Sequence, residues 1–500
     1  MDQRLRALCD VSVPGAREYA GRHEYDGEIQ DLSPAGVAAA LAALGGPAYG
    51  DPYDEALTLA KEAEARVLLG ELETHRTNPL LHAANLDLAG YDREYAPEPE
   101  RAAARARHLA RWPEAVDAAV AALDRVPAPV ARATLGAVRG LAAGLVPGTD
   151  ATTDAALDAQ GRLAAHVEAA ARDGDPDAGL GADRLARLLS AAEAVEVDLG
   201  ALAAIADAER DRMRALLEEA CGRLAPGRPP EDLVPELLRD HPDAAGVLDE
   251  ARLLTDEVIE WTRNADLAPY HDGICLVGPA PESRQWATAM MSWAAPGEPP
   301  GPSWYHVTPP RPDWPASEQE EWLQVFSRTT LPAITVHEVA PGHFSHGVAL
   351  RHAPTDVRRV LMSEAFVEGW AHYVEEVAVE EGFRADDPRF AIGVAVEALV
   401  RVTRMACAIG LHTGAMTVED ATARFERDAF LVGPAAVAEA SRGTFDPTYG
   451  RYTWGKLAIL DLRERARARW GADFSLPRFH RALLDLGSPP LGLLDSALAD

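Results

Sequence analysis

The sequence predicts a mostly α protein: a large multi-helix body carrying one small antiparallel β-sheet beside a pair of helices. Three observations predict it. Alanine is abundant and aromatic residues make up only 6% of the chain, so runs such as "AGVAAALAALGG" and "DAAVAALDRV" consist largely of strong helix formers. Apolar residues recur at helical spacing through most of the chain. The exception is a short region after "NADLAPY", where three brief segments read as strands. An apolar fraction of 47% is that of a globular protein with a core. Five hundred residues allow two or three structural units or one large helical body.

In chain order, residues 1–265 read as a helical N-terminal region. The spacing is clearest in "DEALTLAKEAEARVLLGELE", "RAAARARHLARWPEAVDAAVAAL" and "LARLLSAAEAVEVDLGALAAIADAERDRMRALLEEACGRL". Proline and glycine punctuate the helices at "RVPAPVAR", "LVPGTD" and "LAPGRPPEDLVPEL". Residues 266–500 form the second region, which we expect to join the first in one body around a cleft. "DGICLVGPAP", "QWATAMMSW" and "PSWYHVTPP" are its strands. A helix then starts in "PASEQEEWLQVF", with Ser317 as N-cap and Glu320 closing a capping box. Helical patterns return from Asp356 to Gly382, from Pro388 to His412 and in "YTWGKLAILDLRERARARW".

The formal charge of −31 excludes nucleic acid as a partner, because phosphate contacts need clustered Lys and Arg. It equally disfavours anionic membrane surfaces and reads as a means of solubility. The four cysteines, Cys9, Cys221, Cys275 and Cys407, lie far apart and form no CxxC pair, which fits a reducing compartment. The first residues show no apolar leader segment, and no run reaches transmembrane length. The expectation is a soluble, cytoplasmic protein of open oligomeric state.

The chemistry concentrates in "TVHEVAPGHFSHG", residues 335–347. Adjacent His337 and Glu338 have a defined use on a helix: the imidazole binds zinc and the carboxylate takes a proton from water. A regular zinc helix then needs a second His four residues after the first. Here position 341 is Pro, and the next His is His343. Six residues of ideal helix turn about 600°, which leaves His343 roughly 240° round from His337. Pro341 and Gly342 are the two residue types best suited to bend a helix, so a kink or bulge there would return His343 to the side of His337. In "LMSEAFVEGWAHYVEE", Glu364, Glu368, His372 and Glu375 share one helical face. Glu368, between apolar neighbours and 25 residues beyond His343, completes a His₂Glu set. Taken singly, Glu364, Glu375 and Glu376 read as a solvated face.

"HEVAPGH" followed by "FVEGWAHYVEE" resembles the bacterial family called domain of unknown function 885, a zincin-like peptidase family with an HExxPGH motif. The resemblance continues through "RMACAIGLHTGAMTVEDA" and "YTWGKLAILDLRERA", and covers about residues 270–470. "VEGWAHYVE" is also similar to the third-ligand helix of gluzincins, which favours Glu368 over Glu364. The resemblance implies a zincin-like helix pair, a bound Zn²⁺ or another divalent metal, and hydrolysis of amide bonds in short peptides. The family's Asp-Thr before Gly410, Leu411 and His412 is replaced by Ala408 and Ile409, which puts substrate choice in doubt.

The expected roles are therefore these. His337, His343 and Glu368 bind the metal, and Glu338 is the general base. Tyr452, with Tyr449 and His412 as alternatives, donates to the oxyanion. Arg451 or Lys456 holds a substrate carboxylate, whereas Arg401 and Arg404 pair with neighbouring acids. Tyr305 lies on "SWYHVTPP", read as an edge strand that an extended substrate could join. His346 is an interior residue or an extra ligand, His372 faces the cleft and His352 is on the surface. The alternatives to a peptidase are a metal-dependent hydrolase of a non-peptide amide and a non-catalytic binding protein that retains the fold.

Overall fold

The computed structural model describes residues 1–499. It is mostly α-helical with a single three-stranded sheet. The elements around the site are α1 (Leu199–Leu224), α2 (Ala244–Asn264), β1 (Ile274–Pro279), β2 (Ala289–Ser292), β3 (Pro302–Val307), α3 (Leu331–Glu338), α4 (His343–His352), α5 (Glu364–Glu380), α6 (Pro388–His412), α7 (Gly433–Phe445) and α8 (Arg451–Trp470).

The long helical windows divide where local chemistry demands it. Residues 101–123 split at Arg111, because Pro113 cannot donate within a continuing helix and sits instead in the first turn of Trp112–Ala122. Residues 185–224 split at Ala194, whose φ of 51° ends Ala182–Glu193 before Asp198 caps α1. The stretch from Asp356 to Gly382 breaks too: Asp356–Val360 is a short helix, and Ser363 then caps α5 by accepting from the amides of Ala365 and Phe366. The expected capping box at Ser317 is absent. Extended Pro315 precedes the helix Ala316–Leu323, which places Ser317 inside the first turn.

The sheet is mixed, not antiparallel. Its order is β1-β3-β2, with β1 parallel and β2 antiparallel to β3. The loop from β2 to β3 joins an antiparallel pair, and β1 pairs with the other edge of β3. β3 is thus the central strand rather than an edge, and both of its backbone faces are already paired. Its alternate residues Ser303, Tyr305 and Val307 are buried. Tyr305 and Val307 share a core with α2, α3 and α4.

The cores cross the boundary near residue 265. Leu202, Met213 and Leu217 of α1 pack with Leu399, Val402 and Met405 of α6 and with Tyr449. Near the amino terminus, Leu5 and Leu57 pack with Val357 and Leu361. All four cysteines are unpaired, and no helix among the described residues is long and apolar enough to cross a membrane.

One crossing positions the site. Gly369 of α5 faces Gly455 of α8 so closely that a Cβ on Gly455 would stand 1.9 Å from the Ala365 carbonyl oxygen. Only a hydrogen fits between the two backbones. The Gly455→Ala variant should therefore lose about 1–3 kcal/mol of stability, read from the midpoint of denaturant unfolding.

Three buried histidines outside the His337–His343 pair predict the acid response. His82 and His480 are pushed down to about 4 and His108 to about 3, in each case chiefly by burial. The His480 Nδ1–H donates to the Leu267 carbonyl, a contact that favours the charged ring and only partly offsets the effect of burial. The unfolded chain takes up protons below about pH 6.5 that the folded chain refuses. Stability should be full above that pH and fall below it, by up to about 1.4 kcal/mol per pH unit for each ring. Thermal unfolding followed at pH 7, 6 and 5 measures this decline. A melting temperature unchanged over that range would contradict it.

Candidate metal centre

The helix carrying His337 does not bend; it stops. α3 ends at Glu338, the chain leaves helical geometry from Val339 to Gly342, and α4 begins at His343. The break is tight. A Cβ on Gly342 would meet the His337 carbonyl oxygen at 1.9 Å and that of Val336 at 2.5 Å, so glycine is required there by close approach. The Trp370 indole of α5 donates to the Pro341 carbonyl at 2.9 Å and ties the break to the next helix. The result brings the two imidazoles together, with ring centroids 4.7 Å apart at 83°.

Glu368 faces both rings. Its Oε2 lies 3.4 Å from His337 Nε2 and 3.3 Å from His343 Nε2, and it has no hydrogen-bond partner. Burial alone would raise this carboxyl, but the two facing imidazoles hold it well below its ordinary range. Ligands about 2.0–2.1 Å from a tetrahedral zinc stand about 3.3–3.4 Å from one another. The two separations from Glu368 therefore fit a divalent cation, which these three side chains could hold.

Glu338 is the fourth member. The ligand atoms of His337, Glu338 and His343 all lie within 4.8 Å of one another. Glu338 is buried, and its Oε2 has no hydrogen-bond partner. Burial, opposed by the His343 imidazole, pushes its carboxyl up to about 7.

The far nitrogen of His337 is also engaged. Its Nδ1–H donates to Glu375 Oε1 at 2.6 Å, which leaves Nε2 to face Glu368. Glu375 is fully buried, not part of a solvated face. Burial would raise its carboxyl, but Arg401, 3.3 Å away, outweighs that and keeps it ionised. A carboxylate behind a ligating His fixes the tautomer and raises ligand basicity. The signal was present in the sequence, because Glu375 lies seven residues, two helical turns, beyond Glu368. Glu376 differs from its expectation as well: it is half-buried and ion-paired with Arg212 and Lys456.

Tyr452, from the first turn of α8, stacks at 6.1 Å and 21° on the His337 ring, and its hydroxyl accepts from Arg442 at 3.3 Å. Arg451 is beside it, paired with Asp446 and Glu364. Arg404 and Arg401 pair with acids as expected, with Glu439 and with Glu375 and Glu397 respectively.

Other expected site residues stand elsewhere. Lys456 is 1% exposed and held by Glu209 and Glu376, so its charge is already neutralised and it offers no surface to a substrate. Tyr305 is fully buried in the core behind α3, because β3 is the middle strand. His412 is 2% exposed and donates from Nε2 to the Gly443 carbonyl, joining α6 to α7 instead of pointing at an oxyanion. Tyr449 packs in the core shared by α1 and α6, as do Ala408 and Ile409. His346 is an interior residue bonded to Gly487 and Ser488. His372 lies buried beside Glu375, and His352 is at the surface with Asp272.

If Glu375 serves His337 in this way, Glu375→Gln should weaken zinc binding about 10–100-fold while the fold survives. Competition with a chromophoric chelator measures the change, and an unaltered affinity would remove Glu375 from the centre.

The chain matches the family described as "Bacterial protein of unknown function (DUF885)" over residues 14–498. Among solved structures, it is similar to "a putative lipoprotein of unknown function from Shewanella oneidensis", with a TM-score of 0.75 and 20% identity over 99% of this chain and 98% of the other. It is also similar to "the putative lipoprotein from Colwellia psychrerythraea", with a TM-score of 0.78 and 17% identity over 99% and 97%. At those identities the likeness shows a shared fold. No curated protein matches the chain. With the match running through nearly its whole length, the chain belongs to the bacterial family of unknown function 885.

Proposed function

We propose that this protein is a metal-dependent hydrolase of amide bonds, in its first form a zinc peptidase acting on short peptides. One observation carries the reading. Glu368 Oε2 on α5 stands at the edge length of a tetrahedral shell from Nε2 of both His337 on α3 and His343 on α4, and the buried Glu338 carboxylate, with a free oxygen, stands beside the two imidazoles. A His₂Glu set suits Zn²⁺, and Mn²⁺, Co²⁺ and Fe²⁺ are compatible with the same donors.

When bound, the cation would supply Lewis acidity to water and to the substrate carbonyl. The remaining steps belong to the chain. Glu338 accepts a proton from the attacking water and returns it to the departing amine. Its raised carboxyl favours both directions of transfer near neutral pH. Tyr452, with Arg442 donating to its oxygen, has its own hydroxyl proton free to donate toward a developing oxyanion. Glu375 and Arg401 keep His337 in one tautomer throughout.

The intact Glu338 separates this reading from that of a binding protein, since a scaffold that only holds metal needs no base there. Hydrolysis of a non-peptide amide would use the same groups, and substrate profiling distinguishes the two. Two readings compete for the compartment. Four unpaired cysteines fit a reducing interior. The two solved structures of like fold are described as lipoproteins, a description that favours export if it extends to this chain. Fractionation of producing cells separates these.

The purified protein should contain about one divalent cation per chain and show chelator-reversible hydrolysis on a panel of dipeptides and tripeptides. Absence of both would end the hydrolase reading. Glu338→Gln should retain the metal and lose about 10²–10⁴-fold in kcat. Normal turnover in that variant would remove Glu338 from the role of base.

A further inference from the structure

Beside the metal centre lies a group of cations with too few buried anions. The guanidinium carbons of Arg404, Arg442 and Arg451 stand 4.7, 5.7 and 5.6 Å from the centroid of the Tyr452 ring. All three arginines are buried. Arg404 has Glu439 to itself, bound by two hydrogen bonds of 2.6 Å. Arg442 and Arg451 share one half-buried carboxylate, Asp446. Two carboxylates, Glu439 and Asp446, thus serve three guanidiniums, and burying charge favours a further anionic partner.

Arg451, which holds Asp446 through both Nη atoms and Thr448 through Nη1, meets that further carboxylate from the solvent side. Glu364 Oε2 reaches Arg451 Nη2 at 3.1 Å, although the Glu364 side chain is 71% exposed and Arg451 is 7% exposed. An exposed carboxylate thus touches the buried guanidinium from the water side, which marks a route by which a carboxylate can arrive. Pairs with so exposed a member are weak and readily exchanged. Glu364 also lies one turn before Glu368 on α5, about 6 Å along the helix. An extended residue spans about 3.3–3.6 Å, so that separation matches one or two residues of peptide.

We propose that Arg451, walled by Arg442 and Tyr452, is the subsite for a free carboxylate of the substrate, and that Glu364 is the resident carboxylate it displaces. This deepens the hydrolase reading and rests on it for the word substrate. The class it names is short peptides or N-acyl amino acids whose carboxylate lies one or two residues from the scissile amide. The exposed Trp286 ring lies against Arg442, with the guanidinium carbon 5.3 Å from its centroid.

The test compares an N-acetylated dipeptide with its C-terminal amide on the zinc-loaded full chain. The free acid should be favoured at least about tenfold in kcat/KM. That preference should collapse toward one in Arg451→Gln, through KM, and should grow several-fold in Glu364→Gln. In Arg451→Gln, Asp446 keeps Arg442, and Glu364 is an exposed position, so at least one of the two variants tests the idea in a folded protein. Equal use of acid and amide, or a preference that survives loss of Arg451, overturns the subsite. Calorimetric titration with N-acetylglycine and N-acetylglycinamide gives an answer that does not require turnover. Binding of the acid alone, lost in Arg451→Gln, supports the subsite; binding that ignores Arg451 overturns it. Failure to hydrolyse either peptide, with that binding intact, would instead defeat the hydrolase reading.

Discussion

The close approach of Gly342 to the carbonyls of Val336 and His337 is the constraint on which the candidate metal centre depends. No side chain fits in that space, so the chain folds back on the end of α3 before it can form α4. This return puts two imidazoles six residues apart on one side, where continuous helix would separate them by about 240°. The Trp370 hydrogen bond to Pro341 then ties the break to α5, the helix that carries Glu368. Ligand geometry and helix packing are thus the same problem in this protein. A shift of α5 along its axis would move Glu368, Glu375 and the Trp370 indole together.

α5 is placed by a second close approach, that of Gly369 to Gly455. The crossing brings the first turn of α8 beside the metal residues, which is why Tyr452 stacks on His337 and why Arg451 reaches Glu364. Around this crossing the protein gathers several buried or half-buried charges. Glu375, Arg401, Arg404, Glu439, Arg442, Asp446 and Lys456 are each engaged by an opposite charge. Such pairs seldom add net stability over apolar packing, since desolvation offsets much of their attraction. Their use is to hold ionisable groups in one orientation, as Arg401 does for Glu375 and Glu375 for His337.

Much of this was legible in particular residues. The apolar periodicity of 388–412 gave a helix with those limits, and His337, His343 and Glu368 do converge. Glu375 was misread because a lone Glu on a helix is usually solvated, and only the packing of α6 against α5 buries it. Lys456 looked free to bind an anion for the complementary reason. Its partners Glu209 and Glu376 lie 247 and 80 residues away in the chain, and no local pattern links them. Tyr305 and the sheet failed on topology: strand identity is local, whereas which strand stands in the middle depends on where β1 returns.

By itself, then, the sequence determined the helical character of the chain, the break at Pro341 and Gly342, and the identity of three side chains that face one another, His337, His343 and Glu368. Those features rest on backbone sterics and on short-range periodicity, which act between near neighbours. The tertiary structure alone decided which charges are buried and paired, that β3 is central, and that Arg451 meets a carboxylate from solvent. Those outcomes depend on contacts between residues far apart in the chain, through the packing of α1, α5, α6 and α8.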